Sequence, residues 1–254
     1  MEMLSDPLFW AGLGSITLIN IVLSGDNAVV IALAARSLPA HQRGKAVMWG
    51  AGAAVIMRII LTVIAVEMLK WPFLKIIGAI LLFWIAVKLL VPEDGEENIE
   101  GSDNLMKAIK TILIADLVMS LDNVIGVAAA AKGNLTLLVL GLAISIPIVI
   151  FGATMLMKLM EKWPVIITIG AGLLGWVAGE MLVTDPAWAN WLSTTLPWLH
   201  VHFGKIDFSW VQVAGAAFVI LAGKYLAKKA EAQAEAEHKV VDLAAGDEHN
   251  KSSK

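Results

Sequence analysis

Long apolar runs separated by short polar stretches set the pattern of this chain. A helix needs roughly 20 predominantly apolar residues to cross the hydrocarbon core of a bilayer. Seven segments have that character: 9–34, 46–68, 73–91, 106–130, 135–157, 165–183 and 210–226. Trp10, Trp49, Trp71, Trp163 and Trp210 fall near the ends of these runs, where indole sits well at headgroup level. The pattern predicts an all-α, polytopic membrane protein with seven transmembrane helices. Three polar stretches complete it: an acidic linker over 92–105, a Trp-rich loop over 184–209 and a charged tail over 228–254.

The runs repeat. Asn20-Ile-Val-Leu-Ser-Gly-Asp-Asn-Ala-Val-Val matches Asp116-Leu-Val-Met-Ser-Leu-Asp-Asn-Val-Ile-Gly, so Asp26 recurs as Asp122, 96 residues on. Lys70-Trp71-Pro72 recurs as Lys162-Trp163-Pro164 at a spacing of 92, which also pairs Gly78 with Gly170 and Trp84 with Trp176. The smaller spacing reflects a shorter first connection in the second copy. Segments 1–91 and 106–183 are therefore two three-helix repeats. Three is odd, so the second copy enters the membrane from the opposite side, as in secondary transporters whose sites lie where inverted repeats meet. The seventh helix, over 210–227, has no counterpart and reads as an accessory.

Composition sharpens this picture. The chain is 58% hydrophobic and 16% charged with a mean hydropathy of +0.76, an excess that only a lipid-facing exterior explains. A net charge of −3 and the lack of a basic stripe with interleaved aromatics argue against a nucleic-acid partner. With no cysteine, disulfides and thiolate metal sites are excluded. The start, with Glu2 and Asp6, lacks the positive n-region of a secretory signal, so the first apolar run is expected to be retained. Lys and Arg decide the sidedness, because the cytoplasmic face collects their excess. Arg36, Arg43, Lys45, Lys107, Lys110, Lys158, Lys162, Lys224, Lys228 and Lys229 fall on one face, against Lys70, Lys75, Lys132 and Lys205 on the other. The N-terminus is expected outside and the C-terminus inside a bacterial cytoplasmic membrane.

The candidate chemistry sits inside the spans. Asn20, Ser24 and Asn27 occupy i, i+4 and i+7, giving the first span a polar face, and Asp116, Ser120 and Asn123 repeat it in the fourth. Asp26 and Asp122 lie beside these stripes. An ionised side chain at the bilayer centre costs at least ~2.5–3.5 kcal/mol on insertion scales, so these carboxylates need a partner or a proton. Arg58, mid-span, is a candidate counter-charge; its equivalent in the second copy is Ile150. Three intramembrane aspartates against one arginine leave room for a divalent cation. The available carboxylate, amide and hydroxyl oxygens suit Mg, Ca and Mn better than Cu or Zn. The plainer reading is that these groups only hydrogen-bond helices together; it fits Ser24 and Ser120 better than a duplicated Asp-Asn pair. Glu67 and Glu180, near outer span ends, are supporting candidates as gates or interfacial groups, and Lys88 snorkels. His200 and His202, around Val201, belong to an interfacial loop by default, with metal capture as the alternative. The run Glu93-Asp94-Gly95-Glu96-Glu97 reads as solvated linker, and the Ala-, Glu- and Lys-rich tail as soluble.

At Ser24-Gly25-Asp26-Asn27 and Ser120-Leu121-Asp122-Asn123 the chain resembles the TerC family of integral membrane proteins, within the wider LysE-like exporter superfamily. The resemblance implies export of a divalent metal, Mn(II) foremost, with the motif residues falling on Asp26, Asn27, Asp122 and Asn123. Asp116 stands where the first copy has Asn20, so the implied site is asymmetric in charge. Proton coupling follows from the chemistry of carboxylates that bind a cation on one side and a proton on the other. The expectation is a carrier with no permanently bound cofactor, working on a metal ion within a lipid bilayer. Competing expectations are export of a small organic cation or amino acid, a non-transporting assembly factor, and the tellurium-resistance role in the family's name. An enzyme is not expected: Leu23-Ser24-Gly25-Asp26 lacks the first glycine of an intramembrane aspartyl protease motif.

Overall fold

A Pro follows Trp at both Trp71-Pro72 and Trp163-Pro164, and each pair lies just before a helix, with Pro164 as the N-cap of the helix that starts at Val165 and Pro72 one residue before the N-cap of the helix that starts at Leu74. In the computed structural model, which describes residues 7–23, 25–68, 71–91, 101–131, 134–203 and 206–252, the chain is almost entirely helical. The helices are α1 (Pro7–Leu23), α2 (Gly25–Arg36), α3 (Ala40–Met68), α4 (Leu74–Leu90), α5 (Gly101–Ala131), α6 (Leu135–Lys162), α7 (Val165–Val183), the short α8 (Ala189–Thr195) and α9 (Trp210–Ser252). Among the described residues, four of them contain stretches long and apolar enough to cross a membrane: Ala40–Thr62 in α3, Thr136–Lys162 in α6, Val165–Val183 in α7 and Trp210–Gln233 in α9. Phe9–Leu18 is a shorter apolar stretch, and α4 is 17 residues long with Lys88 near its end.

The bundle is apolar on its outside. Trp49, Ile56, Ile77, Phe151, Ile169 and Leu221 are all exposed, while Asn20, Asn27, Arg58, Asp116, Ser120 and Ser145 are buried. That inversion of the soluble-protein rule is what a lipid exterior selects. Helices α1 and α2 pack on α6, α5 packs on α3, and α4 packs on α7. Ile16 and Ile112, at matching places in the two copies, are both fully buried. Each fills the notch of a glycine on the opposite copy's second helix: a Cβ on Gly141 would lie 2.5 Å from Ile16 Cγ2, and one on Gly50 2.7 Å from Ile112 Cδ1.

The last helix, read from the sequence as an accessory, is packed closely on the bundle. It packs extensively on α7 and also on α4, through Gly175-x-x-x-Gly179 on α7. A Cβ on Gly175 would meet the Gly215 carbonyl oxygen at 2.5 Å, and one on Gly179 the Val211 oxygen at 2.6 Å, so the two backbones touch as small-residue pairs allow in membranes. Ser209 and Gln212 start α9 as a capping box: the Val211 N–H donates to Ser209 Oγ at 3.2 Å and the Ser209 N–H to Gln212 Oε1 at 2.6 Å. The helix then runs through the tail to Ser252.

Two expected loops carry structure. Within 184–209, α8 and a 3₁₀ turn (Pro197–Leu199) precede an antiparallel hairpin, β1 (His200–Phe203) with β2 (Ile206–Ser209), in the register His200↔Ser209 and Phe203↔Ile206. The Phe208 ring lies 5.8 Å from that of Trp176 on α7, which ties the hairpin to the bundle. The expected linker 92–105 ends in helix, since α5 already begins at Gly101.

A buried acid outside the spans organises one end of the bundle. Asp185, fully buried just after α7, accepts the N–H groups of Phe73 (2.9 Å), Lys75 (3.0 Å), Ile76 (3.2 Å) and Ala187 (2.7 Å). It thereby caps α4, whose own N-cap residue, Phe73, has a left-handed backbone (φ 69°) and no capping side chain. Burial pushes this carboxyl upward, but the four N–H donors outweigh it and hold it below the ordinary aspartate value.

A candidate ion site at the bundle centre

Arg58 is the hub of the buried polar cluster. Projecting from the middle of α3, it is 3% exposed. Its Nη2 donates to Asp116 Oδ1 at 2.6 Å, Nη1 to Asn20 Oδ1 at 2.8 Å and Nε to Ser120 Oγ at 3.0 Å. Ser120, one turn after Asp116 on α5, donates back to Asp116 Oδ2 at 3.1 Å. Asn20 Nδ2 donates to Ser145 Oγ on α6, and Ser145 donates on to the Leu142 carbonyl at 2.7 Å. Four helices, α1, α3, α5 and α6, thus meet in one network, and Arg58–Asp116 is a buried ion pair. Burying such a pair is tolerable only when its remaining polar atoms are bonded. Here the Asn20 amide and the Ser120 hydroxyl do that.

Beside the network lies a small cavity of about 20 Å³, lined by Asn20, Asn27, Arg58, Asp116, Ser145 and apolar neighbours from α2, α3 and α6. It has room for about one water-sized particle. Asn27 faces it from the first turn of α2. This side chain is buried, yet neither its Nδ2 nor its Oδ1 has a hydrogen-bond partner. An orphaned buried amide costs about 1–3 kcal/mol, so its retention needs a reason. Asp26, half-buried next to it, accepts the Asn27 N–H at 2.8 Å and lies within electrostatic reach of both Arg58 and Asp116.

The structure therefore draws Asn20, Asp26, Asn27, Arg58, Asp116 and Ser120 into one region. The counter-charge role of Arg58 falls on Asp116. Asn123 is half-buried on α5. Glu180 is exposed near the end of α7, away from this cluster. Ser24 lies outside the described residues, as do the side chains of Asp122, Glu67, His200 and His202. Among the described residues no three His, Asp or Glu side chains form a ready-made metal cluster; the donors at the cavity are amide and hydroxyl oxygens with one paired carboxylate. Sequence reading missed Ser145. Its signal is a lone polar residue two positions before Pro147, the proline inside α6.

Comparison with known proteins places the geometry in context. The profile of the integral membrane protein TerC family matches residues 5–231. The chain is 42% identical over 207 residues to the membrane protein YjbE of Bacillus subtilis, covering 82% of this chain and 91% of that one. It is 28% identical over 190 residues to the membrane protein YceF of the same organism, covering 71% and 74%. It is also 28% identical over 184 residues to the inner membrane protein YgdQ of Escherichia coli, covering 63% and 75%. No solved structure matches.

Proposed function

The chain belongs to the TerC family of integral membrane proteins, and from that premise we propose that it is a secondary transporter exporting a divalent metal ion, Mn(II) foremost. It works by proton-coupled alternating access between two inverted three-helix repeats, with the seventh helix beside them, the N-terminus outside and the C-terminus inside. The observation that carries this reading is the orphaned amide of Asn27 facing a cavity of about 20 Å³ beside a buried carboxylate network. A hard cation takes oxygen ligands; the Asn27, Asn20 and Ser145 side-chain oxygens line the cavity, and the Asp26 carboxylate stands next to Asn27. The reciprocal wedging of Ile16 into Gly141 and of Ile112 into Gly50 supports two related halves. A cavity this small favours an ion over an organic cation or amino acid in this conformation.

The carboxylates supply the coupling. Asp26 and Asp122, one from each repeat, bind one ion jointly; without it, close like charges share a proton. Arrival of the dication expels that proton, and release on the far side readmits one. The test is flux in proteoliposomes offered Mn(II), Ca(II), Mg(II) and Zn(II) in turn, at matched protein level. Asp26→Asn and Asp122→Asn should each remove most Mn(II) flux, and the double variant should be little worse than either, because both act on one ion. Near-normal flux in either single variant, or additive losses, rules out the shared site. Absence of flux for every ion in wild type rules out the transport reading.

A further inference from the structure

A second cavity, of about 290 Å³, opens at the end of the bundle where α2 and α4 stop and α5 starts. Its walls bring one cation from each of those helices: Arg36, Lys88 and Lys107, with Asn104 and Thr111 adding polar groups. No Asp or Glu is among its described lining. Arg36 is held in place by its Nη2–Leu89 carbonyl bond of 2.9 Å, while its Nε is buried with no hydrogen-bond partner. Trp84, also on the wall, is 58% exposed, and the Lys88 ammonium lies 5.5 Å from its ring centroid. An outward indole capped by a lysine marks headgroup depth. This is also the end at which Lys and Arg accumulate, the expected cytoplasmic face.

We propose that this cavity is a binding site for a phosphate group, supplied by the headgroup of an anionic phospholipid. Three cations from three helices fit a singly charged phosphodiester. The buried Nε of Arg36 offers the donor that such an oxygen requires, and basic pockets between transmembrane helices on the cytoplasmic side take anionic headgroups elsewhere. Bound there, the lipid joins the end of α2, which leads directly from the Asp26-Asn27 turn, to α4 and α5. The site is distinct from the central cavity, and its occupancy is measured without reference to transport.

The full chain is purified in detergent and its retained lipid read by native mass spectrometry with phosphatidylglycerol or phosphatidylethanolamine added. Wild type should hold one phosphatidylglycerol in preference to phosphatidylethanolamine. Lys88→Gln with Lys107→Gln, both at exposed side chains, should weaken that binding about thirtyfold, as expected for two cations near an anionic headgroup. Lys110→Gln, exposed on the same helix but not lining the cavity, should leave it unchanged. Equal retention of the two lipids, or wild-type retention in the double variant, overturns the site. Calorimetric titration with inorganic phosphate separates the sources: cation-dependent binding of phosphate without retention of phosphatidylglycerol overturns the lipid assignment. Retention only after Glu93, Asp94, Glu96, Glu97 and Glu100 are neutralised would make the chain's own linker the competitor and overturn it too.

Discussion

Removing the guanidinium of Arg58 gives the most direct measure of how the buried network is balanced. Arg58→Met keeps the length of the side chain but deletes three bonds, those to Asp116, Asn20 and Ser120. Asp116 is then a buried carboxylate that keeps the Ser120 hydroxyl but has lost its counter-charge. Breaking a buried pair from one side costs about 3–5 kcal/mol, most of it the penalty of the stranded charge rather than the worth of the pair. Asp116→Asn strands the arginine instead and should cost a similar amount. The double variant Arg58→Met/Asp116→Asn removes both charges and leaves neutral amides able to pair with Ser120 and Asn20. It should therefore recover most of the loss, ending within about 1–2 kcal/mol of wild type. Reversible unfolding in mixed detergent–SDS micelles, followed by tryptophan fluorescence, gives the three differences. If the double loss equals the sum of the singles to within about 0.5 kcal/mol, the two residues are uncoupled and the ion-pair account fails.

Further expectations follow from other contacts. Because the carboxyl of Asp185 sits below its ordinary value when folded, it contributes stability above the unfolded-chain pKa of about 3.9 and loses it as pH falls through the folded value. The stability gap between wild type and Asp185→Asn should thus be widest near neutral pH and close on the acid side, and a gap independent of pH would refute the cap. Gly175→Ala forces a methyl against the Gly215 carbonyl and should destabilise the bundle by about 1–3 kcal/mol, whereas Gly52→Ala, with nothing within 4 Å of the added carbon, should be neutral or slightly stabilising; equal unfolding midpoints for the two would discount the α7–α9 contact. Asn27→Leu removes an orphaned buried amide and should raise stability by about 1–3 kcal/mol while abolishing Mn(II) flux; a less stable variant that still transports would show that the amide serves the fold.

The helices and the motif region were legible because length and period are properties of a single segment. Apolar runs of span length and the stripe Asn20, Ser24, Asn27 need no knowledge of neighbours. The network was not, because Asn20 meets Ser145 across 125 positions, and that meeting depends on how α1 crosses α6. Asp185 was invisible for a different reason: its partners are backbone N–H groups, which leave no side-chain signature. The hairpin did have a signal. His200-Val-His-Phe and Ile206-Asp-Phe-Ser flank Gly204-Lys205 as two short alternating runs, but the tryptophans of that stretch suggested an interfacial loop.

Charge balance explains why two central residues depart from the duplicated sequence pattern. The wedges are reciprocal, with Ile16 lodged at Gly141 and Ile112 at Gly50, yet Arg58 matches Ile150 and Asp116 matches Asn20 in the duplicated sequence pattern. Both departures fall on partners of one ion pair. An arginine in each copy would place two like charges in the same dry region, and an aspartate without the arginine would leave a carboxylate there unpaired; either is expensive. Introducing the two together, one in each copy, keeps the network neutral as a unit. The pair can then brace four helices without adding net charge to the neighbouring cavity. Asp26, half-buried beside Asn27, adds a carboxyl next to that neutral pair, and it is this carboxyl that the proposed transport reading assigns to the ion.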